Sequence, residues 1–234
     1  MFQAIWGSGV LRRTALMEEV WRFRHHHFVD NYGWEEIRKP DGREIDAFDT
    51  TEAVHLVLAL EGKVVAYSRL LPTTRPHLLS DVYPELIGDR PYQTGPKIYE
   101  WTRCVSDRDA RGPDGTPAAN LLLTGVLEFC LMAGIEALVV ETHPKLVNLL
   151  LETDWEVTPL SAPVDFKGHL VLPIHAETRP RALLKQHELY RFEGRLIDCE
   201  ASDNNPLNRD QPLKPLPYIE GDYFENHRKH AVGQ

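Results

Sequence analysis

Few cysteines and no excess of basic residues set the first limits on this chain. Its 234 residues contain three cysteines, Cys104, Cys130 and Cys199, and no Cys-x-x-Cys pair. Neither a zinc motif nor a disulfide framework fits this spacing, and isolated thiols favour a reducing cytosol. A net charge of -9 also argues against a nucleic-acid-binding protein, because such proteins carry a basic stripe.

Long apolar runs are scarce as well. No stretch reaches the ~20 apolar residues of a membrane span, and the charges from Arg12 to Glu19 come too early for a signal peptide. The hydrophobic content of 42% is ordinary for a globular protein, and the length is sufficient for one large core. The sequence therefore predicts a cytoplasmic protein with no membrane partner.

The common nucleotide-binding and hydrolase motifs are missing too. The chain has no Gly-x-Ser-x-Gly elbow, Walker loop or Gly-x-Gly-x-x-Gly run. His25, His26 and His27 are consecutive, and on a helix such side chains point about 100° apart, so they do not converge on one ion. We therefore expect neither a metal site nor a bound cofactor.

The hydrophobic pattern alternates between helix and strand periods. Apolar spacing predicts a helix from Leu11 to Phe28, and the runs 53–60 and 64–71 predict a hairpin. The other predicted elements are a short helix before Pro84, strands at 97–105, 135–141 and 170–174, and helices at 117–133, 145–153 and 181–190. This order predicts one α/β domain with a mixed sheet over residues 1–200 and an irregular polar tail over residues 201–234.

The predicted strand at 97–105 carries two charges among apolar and aromatic residues. Glu100 and Arg103 are three residues apart, so on a regular strand their side chains would face opposite sides of the sheet. A β-bulge between them would turn both toward one cleft. Buried charges are costly unless they are paired or used, and this strand therefore marks a candidate site.

Other charges near apolar segments extend this candidate site. The full set is Arg24, Asp46, Asp49, Arg69, Glu100 and Arg103, accompanied by Phe28, Trp34 and Trp101. Paired charges with aromatic walls suit a zwitterionic ligand that carries a flat ring. A structural ion-pair network without catalysis explains the pattern equally well.

The order and spacing of these residues resemble those of the acyl-homoserine-lactone synthases, the autoinducer synthases of bacterial quorum sensing. The matching motifs are Arg24 with Phe28 and Trp34, then Asp46 and Asp49, then Arg69 within residues 67–73, then Glu100 and Arg103. The resemblance covers roughly residues 1–190. Two departures are Tyr83 where the family usually has phenylalanine, and Ser68 where it usually has glycine.

The resemblance implies an acyltransferase fold of the GNAT type, with a central mixed twisted sheet flanked by helices. It implies S-adenosylmethionine as co-substrate and an acyl thioester as donor. The amine of the methionine moiety would attack the thioester, and the carboxylate would then displace methylthioadenosine to close the lactone. No other cofactor is implied.

Residue roles follow from the same resemblance. Glu100 would be the base for the amine, and Arg103 would bind the methionine carboxylate. Asp46 and Asp49 would offset the ligand's cationic groups or hold Arg24 and Arg69 in place. Phe28 and Trp34 would form a wall for the adenosine end, under a lid made by the first helix. The acyl chain would be lined by Trp101, Leu122, Val126, Thr142 and Leu150.

The sequence also bears on the acyl donor and on two functions that compete with the synthase. Residues 40–46, 70–76 and 79–84 look more like the subset of the family that uses branched or aromatic acyl-CoA than like the acyl-ACP users.

One alternative function is a generic GNAT N-acetyltransferase, although residues 107–115 lack its Arg/Gln-x-x-Gly-x-Gly/Ala loop. The other is a non-catalytic small-molecule sensor whose charge network is structural.

Overall fold

A computed structural model describes residues 2–166, 168–192 and 194–197 of the chain. The strands are β1 (Phe2–Ile5), β2 (Val54–Leu60), β3 (Lys63–Pro72), β4 (Ile98–Ser106), β5 (Ala137–Thr142), β6 (Glu156–Pro159), β7 (Val164–Phe166) and β8 (His169–Glu177). The α-helices are α1 (Gly9–Arg12), α2 (Thr14–Arg24), α3 (Leu78–Asp81), α4 (Ala118–Ala133), α5 (Pro144–Glu152) and α6 (Pro180–Tyr190). The predicted tail at 201–234 lies outside the described residues.

The strands form one mixed sheet. Its order is β1-β2-β3-β4-β5-β8-β6, and β7 pairs with β8 beside this path. β4 and β5 are parallel, while the other neighbouring pairs are antiparallel. A mixed sheet flanked by helices is therefore confirmed, and so is the hairpin of β2 and β3. The sequence analysis did not predict β1 or β7, since runs of four and three residues are too short to establish a period.

The N-terminal helix differs from its prediction. Instead of one helix from Leu11 to Phe28, the chain forms α1, α2 and a π-helical segment, His25–Asn31. Helical periodicity cannot reveal such a segment, because its wider turn adds one residue without changing the composition. The segment ends where Gly33, with φ +73°, turns the chain toward Trp34. It places Phe28 and Trp34 next to each other.

Helices cover both faces of the sheet. α4 packs on one face, where the cluster of buried apolar residues includes Trp101, Leu122 and Val126. α2 packs on the other face with Tyr67 and Val105. α4 is apolar around most of its surface because it is enclosed by β2, β3, β4 and α6. It ends at Gly134, whose φ of +80° is the left-handed conformation that stops a helix.

The two parallel strands separate partway along their length. β4 and β5 are paired only from Ile98 to Glu100 and from Ala137 to Val139. β4 nevertheless continues to Ser106 on the β3 side, and β5 continues to Thr142 on the β8 side. Beyond Glu100, the facing edges of β4 and β5 therefore form no backbone ladder with each other. Backbone donors and acceptors there are available to a ligand.

Candidate functional site

Three arginines and three carboxylates meet on the α2 face of the sheet. We call them the charge cluster, and its members are Arg24, Glu44, Asp46, Asp49, Arg69 and Arg103. Arg24 lies at the end of α2, and the three acids lie in the loop before β2. Arg69 lies on β3 and Arg103 on β4. One small cluster thus ties four separate parts of the chain together.

Asp49 joins the two most buried arginines. Its Oδ1 accepts hydrogen bonds from Nη1 of Arg24 and from Nη1 of Arg69, both at 2.7 Å. Arg69 also donates to both oxygens of Asp46, at 2.6 and 2.9 Å. Forked contacts of this kind fix the geometry of both partners. The predicted association of these two aspartates with Arg24 and Arg69 is present in the structure.

Glu44 completes the cluster and was not predicted. It accepts from Nε of Arg24 at 2.5 Å and from Nη2 of Arg103 at 3.2 Å. Glu44 is almost fully buried, with 1% of its surface exposed. The sequence offered one signal, an acidic residue two positions before Asp46 in a loop that already carried a carboxylate pair. A loop glutamate is ordinarily solvated, so that signal alone did not separate it from its exposed neighbours.

Burial and charge act in opposite directions in this cluster. Burial alone would raise the pKa of Asp49, but the Arg24 and Arg69 guanidinium groups hold that pKa below its usual range. The same balance, with Arg69 and Arg103 as the cations, lowers the pKa of Asp46. Asp46 and Asp49 are therefore carboxylates at pH 7. Three positive and three negative charges leave the cluster formally neutral.

A second layer of polar groups lies behind Arg24. The Tyr67 hydroxyl lies 3.4 Å from Nη1 of Arg24 and 2.7 Å from Nδ1 of His55. Burial lowers the pKa of His55 to about 3, so this ring is neutral at pH 7. The sequence analysis missed both residues because each sits in an apolar strand pattern. Their neutral dipoles support the arginine without adding charge.

Arg103 lies in a bulge of β4, next to the position where the sequence predicts one. Tyr67 is opposite Val105 and Arg69 is opposite Thr102, so one residue of β3, Ser68, faces two residues of β4, Arg103 and Cys104. The extra residue falls at Arg103 itself, which has a φ of +56°, rather than between Glu100 and Arg103. A non-glycine residue in this region is strained, and such strain is concentrated at functional sites. The bulge directs Arg103 to the same face as Arg69.

Two aromatic rings cover the Arg103 guanidinium. Phe28 and Trp34 stack with their centroids 5.0 Å apart. The guanidinium carbon of Arg103 lies 5.6 Å from each ring centroid. The bonds to Glu44 and Asp46 use its Nε and Nη2, and within the described part of the chain Nη1 has no hydrogen-bond partner. A cation with a spare donor beneath an aromatic wall suits an anionic group attached to a ring system.

Glu100 faces the same side of the sheet but does not join the charge cluster. Both of its oxygens accept backbone N–H bonds, from Leu78 at 2.8 Å and from Leu79 at 2.6 Å. Burial raises the pKa of Glu100, although these two bonds oppose the shift. The carboxylate is fixed at the point where β4 and β5 begin to separate. The structure thus separates Glu100 from the acids that hold the arginines.

The residues predicted for an acyl pocket lie on the opposite face. Trp101, Leu122, Val126 and Leu150 belong to the buried cluster around α4. Thr142 is half-buried at the end of β5, at the rim of that cluster. Trp155 was not predicted, yet its ring stacks on Trp101 with centroids 6.1 Å apart. The Trp101 indole N–H donates to Ser68, which gives a partner to the serine that replaces the usual glycine.

Neither a metal-binding cluster nor a membrane-spanning helix occurs in the part of the chain that the structure describes. Among residues 2–166, 168–192 and 194–197, no group of three or more His, Cys, Asp or Glu side chains could hold a metal ion. Within the same ranges, no helix has the length and apolarity that crossing a bilayer requires.

Comparison with known proteins gives concordant matches. A family model described as autoinducer synthase matches residues 8–181. An isovaleryl-homoserine lactone synthase from Bradyrhizobium diazoefficiens is 38% identical over 206 residues, covering 81% of this chain and 88% of that protein. The structure of BjaI, a CoA-dependent acyl-homoserine lactone synthase with SAM and isopentyl-CoA, has a TM-score of 0.80 at 29% identity, covering 88% of this chain and 96% of that one.

A more distant match concerns the fold alone. An N-acetyltransferase-like protein from Lactobacillus plantarum has a TM-score of 0.50 at 18% identity, covering 76% of this chain and 99% of that one. The predicted GNAT-like architecture is therefore confirmed.

Replacing Glu44 by glutamine should destabilise the fold. The substitution removes one carboxylate from buried Arg24, and breaking a buried ion pair costs about 3 kcal/mol or more. We expect a loss of this size in the free energy of unfolding, measured by urea denaturation. Glu18→Gln is the matched control, because half-buried Glu18 forms surface pairs with Arg22 and Arg43 and should contribute less than about 1 kcal/mol. Equal losses in the two variants would contradict the structural role of Glu44.

Acid should weaken the fold through Asp49. Its pKa is about 3.9 in the unfolded chain and lower in the folded one, so the unfolded state binds more protons as the pH falls below about 4. The stabilisation by Asp49 is therefore complete at neutral pH and is lost toward acid. The difference in free energy of unfolding between wild type and Asp49→Asn should shrink from pH 6 toward acid. A difference that does not change with pH would refute the depressed pKa.

Proposed function

The chain belongs to the autoinducer synthase family, and from this premise we propose that it joins a branched-chain acyl-CoA to S-adenosylmethionine. Its relatives are acyl-homoserine-lactone synthases, and the chain is accordingly an acyltransferase that makes a quorum-sensing signal. What is proposed concerns the donor, the residues and the reaction steps. Neither the N-acetyltransferase nor the sensor alternative has comparable support.

The position of Arg103 is the observation that carries the proposal. Its guanidinium is held by Glu44 and Asp46, lies beneath Phe28 and Trp34, and keeps Nη1 for a ligand. The methionine end of S-adenosylmethionine presents a carboxylate, and its other end presents a flat adenine. We assign the carboxylate to Arg103 and the adenosine end to the two aromatic rings.

The remaining members of the charge cluster balance the ligand's cations. The side chain of Asp46 is 20% exposed, whereas those of Asp49 and Glu44 are 1% exposed. Asp46 is therefore the acid most accessible to the amine and sulfonium of the ligand. Asp49 and Glu44, with buried Arg24 and Arg69, hold Asp46 and Arg103 in place. Pre-formed polar partners of this kind reduce the cost of ordering the site upon binding.

Glu100 is assigned as the base, directly or through a water. The attacking amine must lose a proton, and an acid with a raised pKa is closer to the optimum for proton transfer near neutral pH. Backbone N–H groups of β4 beyond Glu100 face the gap between β4 and β5, where they can stabilise the oxyanion of the thioester. Closure of the lactone by the carboxylate then releases methylthioadenosine.

The acyl chain is assigned to the face covered by α4. Trp101, Leu122, Val126 and Leu150 would contact it, with Thr142 at the rim. The stacked pair of Trp101 and Trp155 places two large rings in this region, which favours a short branched chain over a long linear one. Support for the CoA donor comes from the isovaleryl-homoserine lactone synthase and the CoA-dependent BjaI.

Donor choice tests the proposal directly. Purified protein with S-adenosylmethionine should release methylthioadenosine and form the lactone with isovaleryl-CoA. The kcat/KM should exceed that for isovaleryl-ACP by about tenfold or more, a difference of about 1.4 kcal/mol. Mass spectrometry identifies the lactone. A preference for the ACP donor would overturn the CoA assignment, and no lactone with either donor would overturn the proposal as a whole.

Removing the carboxylate of Glu100 tests the base. Glu100→Gln should lower kcat by about 100-fold or more while S-adenosylmethionine still binds, because general-base catalysis contributes 10²–10⁴-fold, roughly. Glu100→Asp should retain more activity, and thermal melting checks that both variants fold. Glu52→Gln, an exposed acid paired with Arg75, is the control. Wild-type kcat in a folded Glu100→Gln variant would exclude Glu100 as the base.

A further inference from the structure

A second glutamate lies beside Glu100 on the neighbouring strand. Glu100 is opposite Val139 in the parallel ladder of β4 and β5. Glu141 is two residues beyond Val139, so it lies on the same face, just past the last paired position. The Glu100 carboxylate is close enough to Glu141 to raise the pKa of Glu141. Both lie where the strands separate, which is where the donor thioester is assigned.

The two carboxyl groups have different surroundings. Glu100 accepts backbone N–H bonds on both oxygens, which favours its ionised form. Glu141 has a buried Oε1 with no hydrogen-bond partner in the described part of the chain. Burial, and next the adjacent Glu100 carboxylate, hold the pKa of Glu141 well above its usual range. These surroundings favour a proton on Glu141 over a proton on Glu100.

Other charged and titratable groups around the pair do not reverse this difference. Arg69 from β3 and His77 from the start of α3 act on Glu100 and favour its ionised form. Tyr92, from the segment before β4, lies near both glutamates, and burial raises the pKa of its hydroxyl to about 12. His175 of β8 is opposite Val139 on the same face, and burial lowers its pKa. None of these groups supplies a cation that would ionise Glu141.

We propose that Glu141 is the general acid of the acylation step, working with Glu100 as a carboxyl pair that shares one proton. This inference rests on the proposed function. It assigns a chemical task to a residue that the charge cluster and the acyl pocket do not use.

The proton balance of the step is complete within the pair. The neutral amine attacks the thioester carbonyl, so that a C–N bond forms and the C–S bond breaks. The proton lost by the nitrogen passes to the Glu100 carboxylate, and the departing sulfur takes the proton of Glu141 to leave as free thiol. Transfer of the proton from Glu100 to Glu141 then restores the starting state. No further reactant is needed.

The leaving group distinguishes an acid from a structural residue. With isovaleryl-CoA, Glu141→Gln should lower the rate of lactone formation by about 100-fold, within the range for general acid catalysis. With an isovaleryl thiophenol ester, whose thiolate departs without protonation, the same variant should keep nearly the wild-type rate. Glu188→Gln, an exposed acid paired with Lys185, is the control and should change neither rate. Glu141→Asp, which keeps the acid, should recover part of the CoA rate.

Equal losses with both esters, or no loss with isovaleryl-CoA, would overturn the assignment of Glu141. An independent readout is the infrared band of a protonated carboxyl group at pH 7, which should be present in wild type and absent in Glu141→Gln. A wild-type protein without that band would refute the shared proton even if it makes the lactone. A wild-type protein that makes no lactone with either ester would instead refute the proposed function, so the two failures are distinguishable.

Discussion

The burial of three guanidinium groups is the constraint on which the rest of this structure depends. A buried charge is tolerated only when it is paired and hydrogen-bonded, and each arginine here meets at least two acids. Those acids come from one loop, while the arginines come from α2, β3 and β4. Satisfying the charges therefore fixes the N-terminal helix and the loop against the sheet. The outcome is a neutral, rigid set of ion pairs in which Arg103 and Asp46 remain the least buried members.

Two departures from regular strand geometry convert this scaffold into a site. The bulge at Arg103 brings a residue that would face α4 onto the α2 face, beside Arg69. Because β4 separates from β5 after Glu100, backbone N–H and C=O groups that would be paired in a continuous ladder remain available. Glu100 lies at the junction of these two features. The proposed amine site is thus on one side of β4, and the residues assigned to the acyl chain are on the other.

Much of this arrangement could be predicted from the sequence, and the remainder has specific physical reasons. Period and turn signals placed the β2–β3 hairpin, the β4 strand and α4, and the family resemblance implied the association of Asp46 and Asp49 with Arg24 and Arg69. The sequence analysis did not predict the roles of three residues, Glu44, Tyr67 and Trp155. Whether a loop acid is buried, or a strand residue is paired, depends on contacts between residues that are distant in sequence. The π-helical segment after α2 was not predicted, because one added residue per turn does not change the amino-acid composition. The roles of Glu100 and Arg103 came from family resemblance rather than from pattern.

The central claim is that Arg103 binds the carboxylate of S-adenosylmethionine. The most direct measurement compares, by calorimetry, the binding of S-adenosylmethionine and of its decarboxylated analogue to wild type and to Arg103→Met. Wild type should prefer the ligand with the carboxylate by about 10- to 100-fold, since a charged hydrogen bond contributes about 1.5–3 kcal/mol. In Arg103→Met that preference should disappear. An unchanged preference in a folded Arg103→Met variant would contradict the account, because the carboxylate would then be bound elsewhere.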